Sequence, residues 1–335
     1  MSRDARNSKA FRTYPSSPRG FDPHKASDEE LLRYGFPQRP DPDKHPELAR
    51  LWKRALARPI RFVEAKLSID PVMGARGDPL IQEAGEFGPT GWAGALKLLA
   101  TGSSTSDFTQ PATMVFAQWQ VPYVYPVHPA GETDTVAFWV GLDGYAPLNP
   151  LGLLQAGVAA DVHETFSWWP PFRKTVVTWW AWTEWYSDSH AGEPGAKPHK
   201  VETVPVAPGD TIFVVVCAPQ PDFGFVSMLN ISRGIGSSVG INALSGVASE
   251  GKTADWMLEV PSSSPNVPIF SPVTFTNCTA GSLEHGVFNL TDGIPMNITA
   301  AGPGPYGHPI TKTTIGPADP PPPNFVVVEE LEVDW

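Results

Sequence analysis

From Gly91 onward the apolar positions fall in short runs, several of them alternating with polar positions, and clusters of Gly, Pro, Asn, Asp and Ser separate the runs. This pattern predicts strands over 91–99, 114–121, 135–142, 153–160, 175–186, 211–218, 224–231, 255–260, 273–276 and 325–333. Turns at these intervals fit an all-β sandwich or barrel. In an alternating strand, Leu153, Gln155 and Gly157 share one face, and Leu154, Ala156 and Val158 the other. Gln155 then stands beside a residue with no side chain, which is expected to leave room for a ligand. The same period puts Trp180, Trp182, Glu184 and Tyr186 on one face, and Asp255, Met257 and Glu259 on one face of the 255–260 run. On pattern alone, a strand glutamine facing water, an edge-strand acid and aromatics split between core and edge account for these residues.

Before Gly91 the period changes. Residues 1–26 are polar with Pro and Gly breaks and are expected to lack a fixed fold. Ser27-Asp28-Glu29-Glu30 is a capping box and predicts a short helix ending near Gly35. Pro37, Pro40 and Pro42 predict an extended linker. Pro46 suits the first turn of a second helix, in which Leu48, Leu51, Trp52, Ala55 and Leu56 fall at helical spacing. A strand over 62–69 and a Gly/Pro-rich connector over 70–90 follow. The chain therefore divides into a basic N-terminal extension (1–69) that could serve as a prosegment or a cap, the connector (70–90), and a β-sandwich domain (91–335). Gly236-Ser237-Ser238-Val239-Gly240 matches the G-x-S-x-G pattern, but no helix follows it, and it is read as a glycine-rich loop.

Composition narrows the picture. The chain has 335 residues, 41% hydrophobic, enough for a large core, and its 38 Pro and 30 Gly favour strands joined by turns. The longest apolar run, 212–218, is too short to span a bilayer, so no membrane partner is expected. The opening MSRDARNSKAFR has no apolar core and does not read as a secretory signal. Cys217 and Cys278 permit at most one bridge, and two buried thiols are the simpler reading. The net charge of −11 is uneven: residues 1–66 carry 15 Lys/Arg and 9 Asp/Glu (+6), leaving 9 and 26 (−17) for the remainder. An acidic body argues against nucleic acid as a partner, and the split predicts a basic arm attracted to an acidic domain. No His/Cys group has zinc spacing and no cofactor is expected.

Two stretches carry candidate chemistry. Trp139-Val140-Gly141-Leu142-Asp143-Gly144 puts a carboxylate between glycines after an apolar run, and Leu153-Leu154-Gln155-Ala156-Gly157-Val158 puts one amide inside another. Together they resemble the paired signature of the glutamic peptidases, or eqolisins. Further pieces follow in the family's order: Trp92-Ala93-Gly94-Ala95, Ala181-Trp182-Thr183-Glu184-Trp185-Tyr186, Pro208-Gly209-Asp210, Ala254-Asp255-Trp256-Met257-Leu258-Glu259 and Phe270-Ser271-Pro272-Val273-Thr274-Phe275. The resemblance covers roughly 91–278. Gly91, Ser187 and Asp255 depart from it, standing where the family usually has Asn, Pro and Glu.

The resemblance implies a sandwich of two antiparallel, bent sheets (concanavalin-like) and an acid-acting glutamic endopeptidase on polypeptide substrates. Gln155 and Glu259 would be the catalytic pair. Trp92, Trp139, Asp143, Trp182, Glu184 and Tyr186 would line the substrate groove. A monomer without cofactor, secreted or in an acidic compartment, is expected. Two other readings compete. A β-sandwich glycoside hydrolase would use Glu184 and Glu259 as paired carboxylates and leave Gln155 without a role. A non-catalytic carbohydrate- or protein-binding sandwich would need neither Gln155 nor Glu259.

Overall fold

The computed structural model describes residues 10–69, 91–99, 112–127, 133–148, 150–169, 171–190, 193–261, 267–282, 286–300, 308–309, 311–316 and 325–330. The first strands are β1 (Phe11–Thr13), β2 (Arg61–Phe62), β3 (Leu67–Ile69), β4 (Trp92–Leu98), β5 (Met114–Gln120), β6 (Val124–Tyr125) and β7 (Thr133–Asp143). Two 16-residue strands follow, β8 (Leu153–Trp168) and β9 (Pro171–Tyr186). Next come β10 (His199–Val201), β11 (Thr211–Gln220), β12 (Phe223–Asn230), β13 (Ile235–Asn242), β14 (Thr253–Glu259), β15 (Ile269–Phe270) and β16 (Val273–Ser282). The last are β17 (Gly286–Phe288), β18 (Ile294–Met296), β19 (Thr299–Ala300), β20 (His308–Pro309), β21 (Thr311–Ile315) and β22 (Val326–Glu330).

Two large sheets form from these strands. The first runs β1-β13-β12-β11-β5-β16-β22-β21, with β17 added on β16 and β2 on β13; the second runs β18-β4-β14-β7-β8-β9-β10-β3. The ladders are antiparallel apart from the short β13–β2 pair. Alternation along each strand sends one set of side chains between the sheets. Phe138, Val140, Leu154, Val158, Trp256 and Leu258 of the second sheet meet Val115, Trp119, Val214, Val226 and Phe275 of the first in one core. The chain is an all-β sandwich, as the strand pattern predicts.

The opposite faces are also covered, by different means. On the first sheet, Phe116, Phe213, Val215 and Leu229 point outward and are buried by Leu31, Phe36, Leu48, Trp52 and Phe62 of the N-terminal extension. Its helix α1 (Asp28–Arg33) starts at the Ser27 capping box, and Gly35 beyond it takes φ +72°. Helix α2 (Pro46–Ala55) buries Leu48, Ala49, Trp52 and Ala55. On the second sheet the outward face carries Trp92, Trp139, Trp180, Trp182, Tyr186 and Met257, packed on one another.

Three expectations need correction. Residues 10–26 are not structureless: Phe11, Arg12 and Thr13 pair with Ile241, Gly240 and Val239, and Tyr14 and Ser17 are buried. The stretch 236–240 is not a loop but the middle of β13, paired with β12 along its whole length. Glycine and serine are poor strand formers, and here the ladders on both sides decide the conformation. The 62–69 strand splits into β2 and β3, on different sheets. The connector 70–90 lies outside the described residues. Cys217 and Cys278 are free thiols, the latter buried.

Candidate active site

Gln155 and Glu259 lie on the outward face of the second sheet, and the strand register fixes their relation. Three successive rows of side chains cross β9, β8, β7, β14 and β4 on this face. The first is Glu184, Gln155, Gly141, Asp255 and Leu96; the second is Trp182, Gly157, Trp139, Met257 and Gly94; the third is Trp180, Ala159, Ala137, Glu259 and Trp92. Gln155 and Glu259 are therefore two rows apart, with Trp139 in the row between. The Trp139 indole Nε1 donates to Glu259 Oε2 at 2.9 Å. Trp92 meets the Trp139 ring edge-on, with centroids 4.9 Å apart.

The amide is fixed as well. Gln155 Nε2 donates to Glu184 Oε2 at 2.9 Å, and the Thr183 hydroxyl donates to the Gln155 carbonyl at 3.1 Å. Gln155 Oε1 is buried and accepts no hydrogen bond among the described residues. The indole N–H groups of Trp180 and Trp182 on the same face are likewise buried and unpartnered there. Buried polar atoms in that state are costly, and a site that meets a polar ligand is one setting that offsets the cost. Small residues at Gly141, Gly157, Ala137 and Ala159 separate the aromatics. Gly157 does not leave room for a ligand, however: a Cβ there would stand 2.0 Å from the Phe138 carbonyl oxygen. The glycine lets β7 approach β8 closely.

Asp143 ends β7 with φ +71°, a left-handed conformation that few non-glycine residues adopt. Its Oδ2 accepts from Ser249 Oγ (2.8 Å), Glu250 N (2.9 Å) and Gly251 N (3.1 Å), and its Oδ1 from Lys252 N (2.7 Å). The carboxylate ties the 249–252 loop to the end of the sheet. Burial pushes its pKa upward, against those donated bonds. Asp255 follows that loop on β14. Burial first, then the Asp143 charge, push its carboxyl well above the usual range, and only the Thr253 hydroxyl opposes them. Among the described residues, no group of three His, Cys, Asp or Glu is placed to hold a metal ion.

A model of the peptidase A4 family matches residues 90–319. The chain belongs to the peptidase A4 family. It is a glutamic-type peptide hydrolase. Scytalido-glutamic peptidase, solved with a peptide-based transition-state analogue, superposes on this A4 peptidase with a TM-score of 0.50 at 19% identity, over 72% of this chain and 98% of the other. Aspergilloglutamic peptidase from Aspergillus niger gives 0.45 at 22% identity, over 59% and 99%. At 19% identity the likeness to scytalido-glutamic peptidase concerns the fold alone. Among curated proteins, none matches the chain.

Of the residues singled out from the A4 peptidase's sequence, Trp92, Trp139, Gln155, Trp182, Glu184 and Glu259 meet on the three rows above. Tyr186 lies one row further, beside Leu153 and Asp143, and its hydroxyl donates to Asp188 at 2.7 Å. Trp180 belongs to the same wall, with the Lys200 ammonium 4.1 Å above its ring. Strand alternation already placed Trp180 and Asp255 on this face. The tie between Asp143 and the 249–252 loop has no signal in the chain, because it depends on two loops meeting.

Proposed function

We propose that Glu259 and Gln155 carry out the peptide hydrolysis, through an activated water and without a covalent intermediate. The observation that carries this reading is the fixed pair of bonds on one face, Trp139 to Glu259 and Gln155 to Glu184. Glu259 is the one carboxylate held in the third row. It takes a proton from water as the water oxygen attacks the peptide carbonyl, then returns that proton to the departing amine. Gln155 has two N–H donors and one acceptor. One N–H is committed to Glu184. The second can donate to the developing oxyanion, and Oε1 can accept from the attacking water. Gln155 is 3% exposed and Glu259 6%, so bulk water competes little for these bonds.

In this reading Trp182, Trp92, Trp139 and Tyr186 shape the groove, and Glu184 positions the amide. Asp143 acts on the groove through the loop it holds. The enzyme works in acid, as a monomer, in a secreted or acidic setting. The N-terminal extension, residues 1–69, serves as a cap on the first sheet, because its helices pack there and not on the face that carries Glu259. Digestion of a denatured protein at acid and neutral pH, run beside a polysaccharide panel, tests the function. Peptide fragments at acid pH, with no sugar release, are expected. Sugar release without proteolysis would overturn the proposal.

A further inference from the structure

Strands β8 and β9 run on past the rest of their sheet. β7 begins at Thr133, opposite His163, and β10 pairs with β9 only at Trp182 and Thr183. Beyond those points, among the described residues, the hairpin continues as a two-stranded ribbon, paired from Glu164↔Thr175 to Trp168↔Pro171. Five residues per strand carry it about 17 Å further. Its tip is unusually apolar for a free end. Phe166, Trp168, Trp169 and Phe172 lie within seven residues and are all exposed, Trp168 by 85% and Trp169 by 89%. Phe166 and Trp168 pack edge-on, 4.9 Å apart. By the register Phe166 and Trp168 lie on one face of the ribbon and Phe172 on the other, so the tip is apolar on both sides. Such a cluster of exposed aromatics marks an interaction site, since single exposed apolar residues are the ordinary case.

We propose that this hairpin tip anchors the protein at the interface of a lipid bilayer. Three features favour lipid over another protein. Tryptophan is the side chain best suited to the headgroup level, with an apolar body and a polar N–H. Arg173 and Lys174 stand beside the aromatics, and no acidic residue occurs from Thr165 to Lys174, in a body that is otherwise strongly acidic. Arg173 also bonds Glu164 at 3.1 Å at the base of the tip, and Lys174 is the basic group assigned to a headgroup phosphate. The tip is a two-stranded ribbon beyond its described sheet neighbours, a shape that can enter a headgroup layer, which deforms around it. The run-length criterion predicts no membrane contact because it looks for a span, and interfacial anchoring needs none. The anchor is independent of the catalytic reading.

The test uses the full chain at neutral pH with phosphatidylcholine vesicles and with phosphatidylcholine–phosphatidylserine vesicles, read by co-sedimentation and by tryptophan emission. The wild type is expected to bind both, the anionic ones more tightly. Trp168→Ser with Trp169→Ser should weaken binding roughly tenfold or more. Lys174→Ser should weaken it about fivefold on anionic vesicles alone. Circular dichroism checks that each variant is folded, and exposed tip residues are expected to leave the fold unchanged. Absence of wild-type binding to either vesicle overturns the proposal, as does undiminished binding by the double variant. A double variant that instead loses self-association, or loses cleavage of whole proteins but not of short peptides, assigns the tip to protein contact and overturns the lipid anchor.

Discussion

Gln155 and Glu184 face each other across the β8–β9 ladder, and the amide of one donates to the carboxylate of the other at 2.9 Å. That bond decides which way the amide points. A carboxylate only accepts, so it holds the NH2 end and turns Oε1 away from itself, where it accepts no hydrogen bond among the described residues. Glu184→Gln removes that discrimination, because a glutamine can meet either end of the Gln155 amide. We expect kcat to fall about tenfold, the value of one charge-assisted bond, with KM within about twofold. Steady-state kinetics on a fluorogenic peptide separates the two. A raised KM at unchanged kcat would make Glu184 a substrate contact.

Asp255 should make stability depend on pH. Its folded pKa is raised, by burial and by Asp143. The unfolded chain then binds fewer protons than the folded one at any pH above the unfolded value of about 3.9. Stability is therefore largest in acid and declines as pH rises above that value toward the raised folded one. Asp255→Asn removes the ionisation and should stabilise the protein at pH 7 while changing little near pH 4. Urea midpoints at the two pH values measure this. An equal effect at both would remove Asp255 as the cause.

Asp143 is expected to matter through the loop it holds. Asp143→Ala strands one hydroxyl and three backbone donors of 249–252 and should cost about 3 kcal/mol or more. Activity at a temperature where the variant is still folded should fall with the loss of loop order. Thermal unfolding and backbone hydrogen exchange of 249–252 read both effects. Wild-type protection in that loop would contradict the role given to Asp143.

The N-terminal extension should stay attached when the connector is cut. Its ion pairs involving Lys25, Arg39, Lys44 and Arg50 are with carboxylates of the extension itself, and Lys66–Glu202 reaches across. Attachment rests instead on apolar burial and on the β1, β2 and β3 ladders. Releasing it would expose Phe116, Phe213, Val215 and Leu229, at about 2 kcal/mol each. After proteolysis within 70–90 at acid pH, we expect both pieces to co-elute on gel filtration. Dissociation with a rise in activity, absent in a Glu259→Gln control, would make the extension a prosegment.

Much of this arrangement was legible in the chain. Alternation alone put Gln155 with Gly157, Glu259 with Asp255, and Trp182 with Glu184 on common faces, because the period of a strand is fixed by its backbone. The capping box at Ser27 and Pro46 marked both helices, since those signals are local. β13 was not legible: Gly236, Ser237 and Ser238 have weak strand preference and become a strand only between β12 and the N-terminal strands. The role of Gly157 was not legible for a related reason. A missing side chain reads alike whether a ligand or a neighbouring backbone fills the space, and here the Phe138 carbonyl fills it. The Trp139–Glu259 bond needed the register between β7 and β14, which no local pattern contains.

The most direct test of the central claim is the turnover of Glu259→Gln. The substitution keeps the size of the side chain and an acceptor for the Trp139 indole, so the fold and the groove should persist, which near-ultraviolet circular dichroism would check. It removes the proton acceptor. We predict a loss of about 10²–10⁴ in kcat on a peptide substrate in acid, with KM little changed. A folded Glu259→Gln variant that keeps most of its turnover would contradict the account and take Glu259 out of the mechanism.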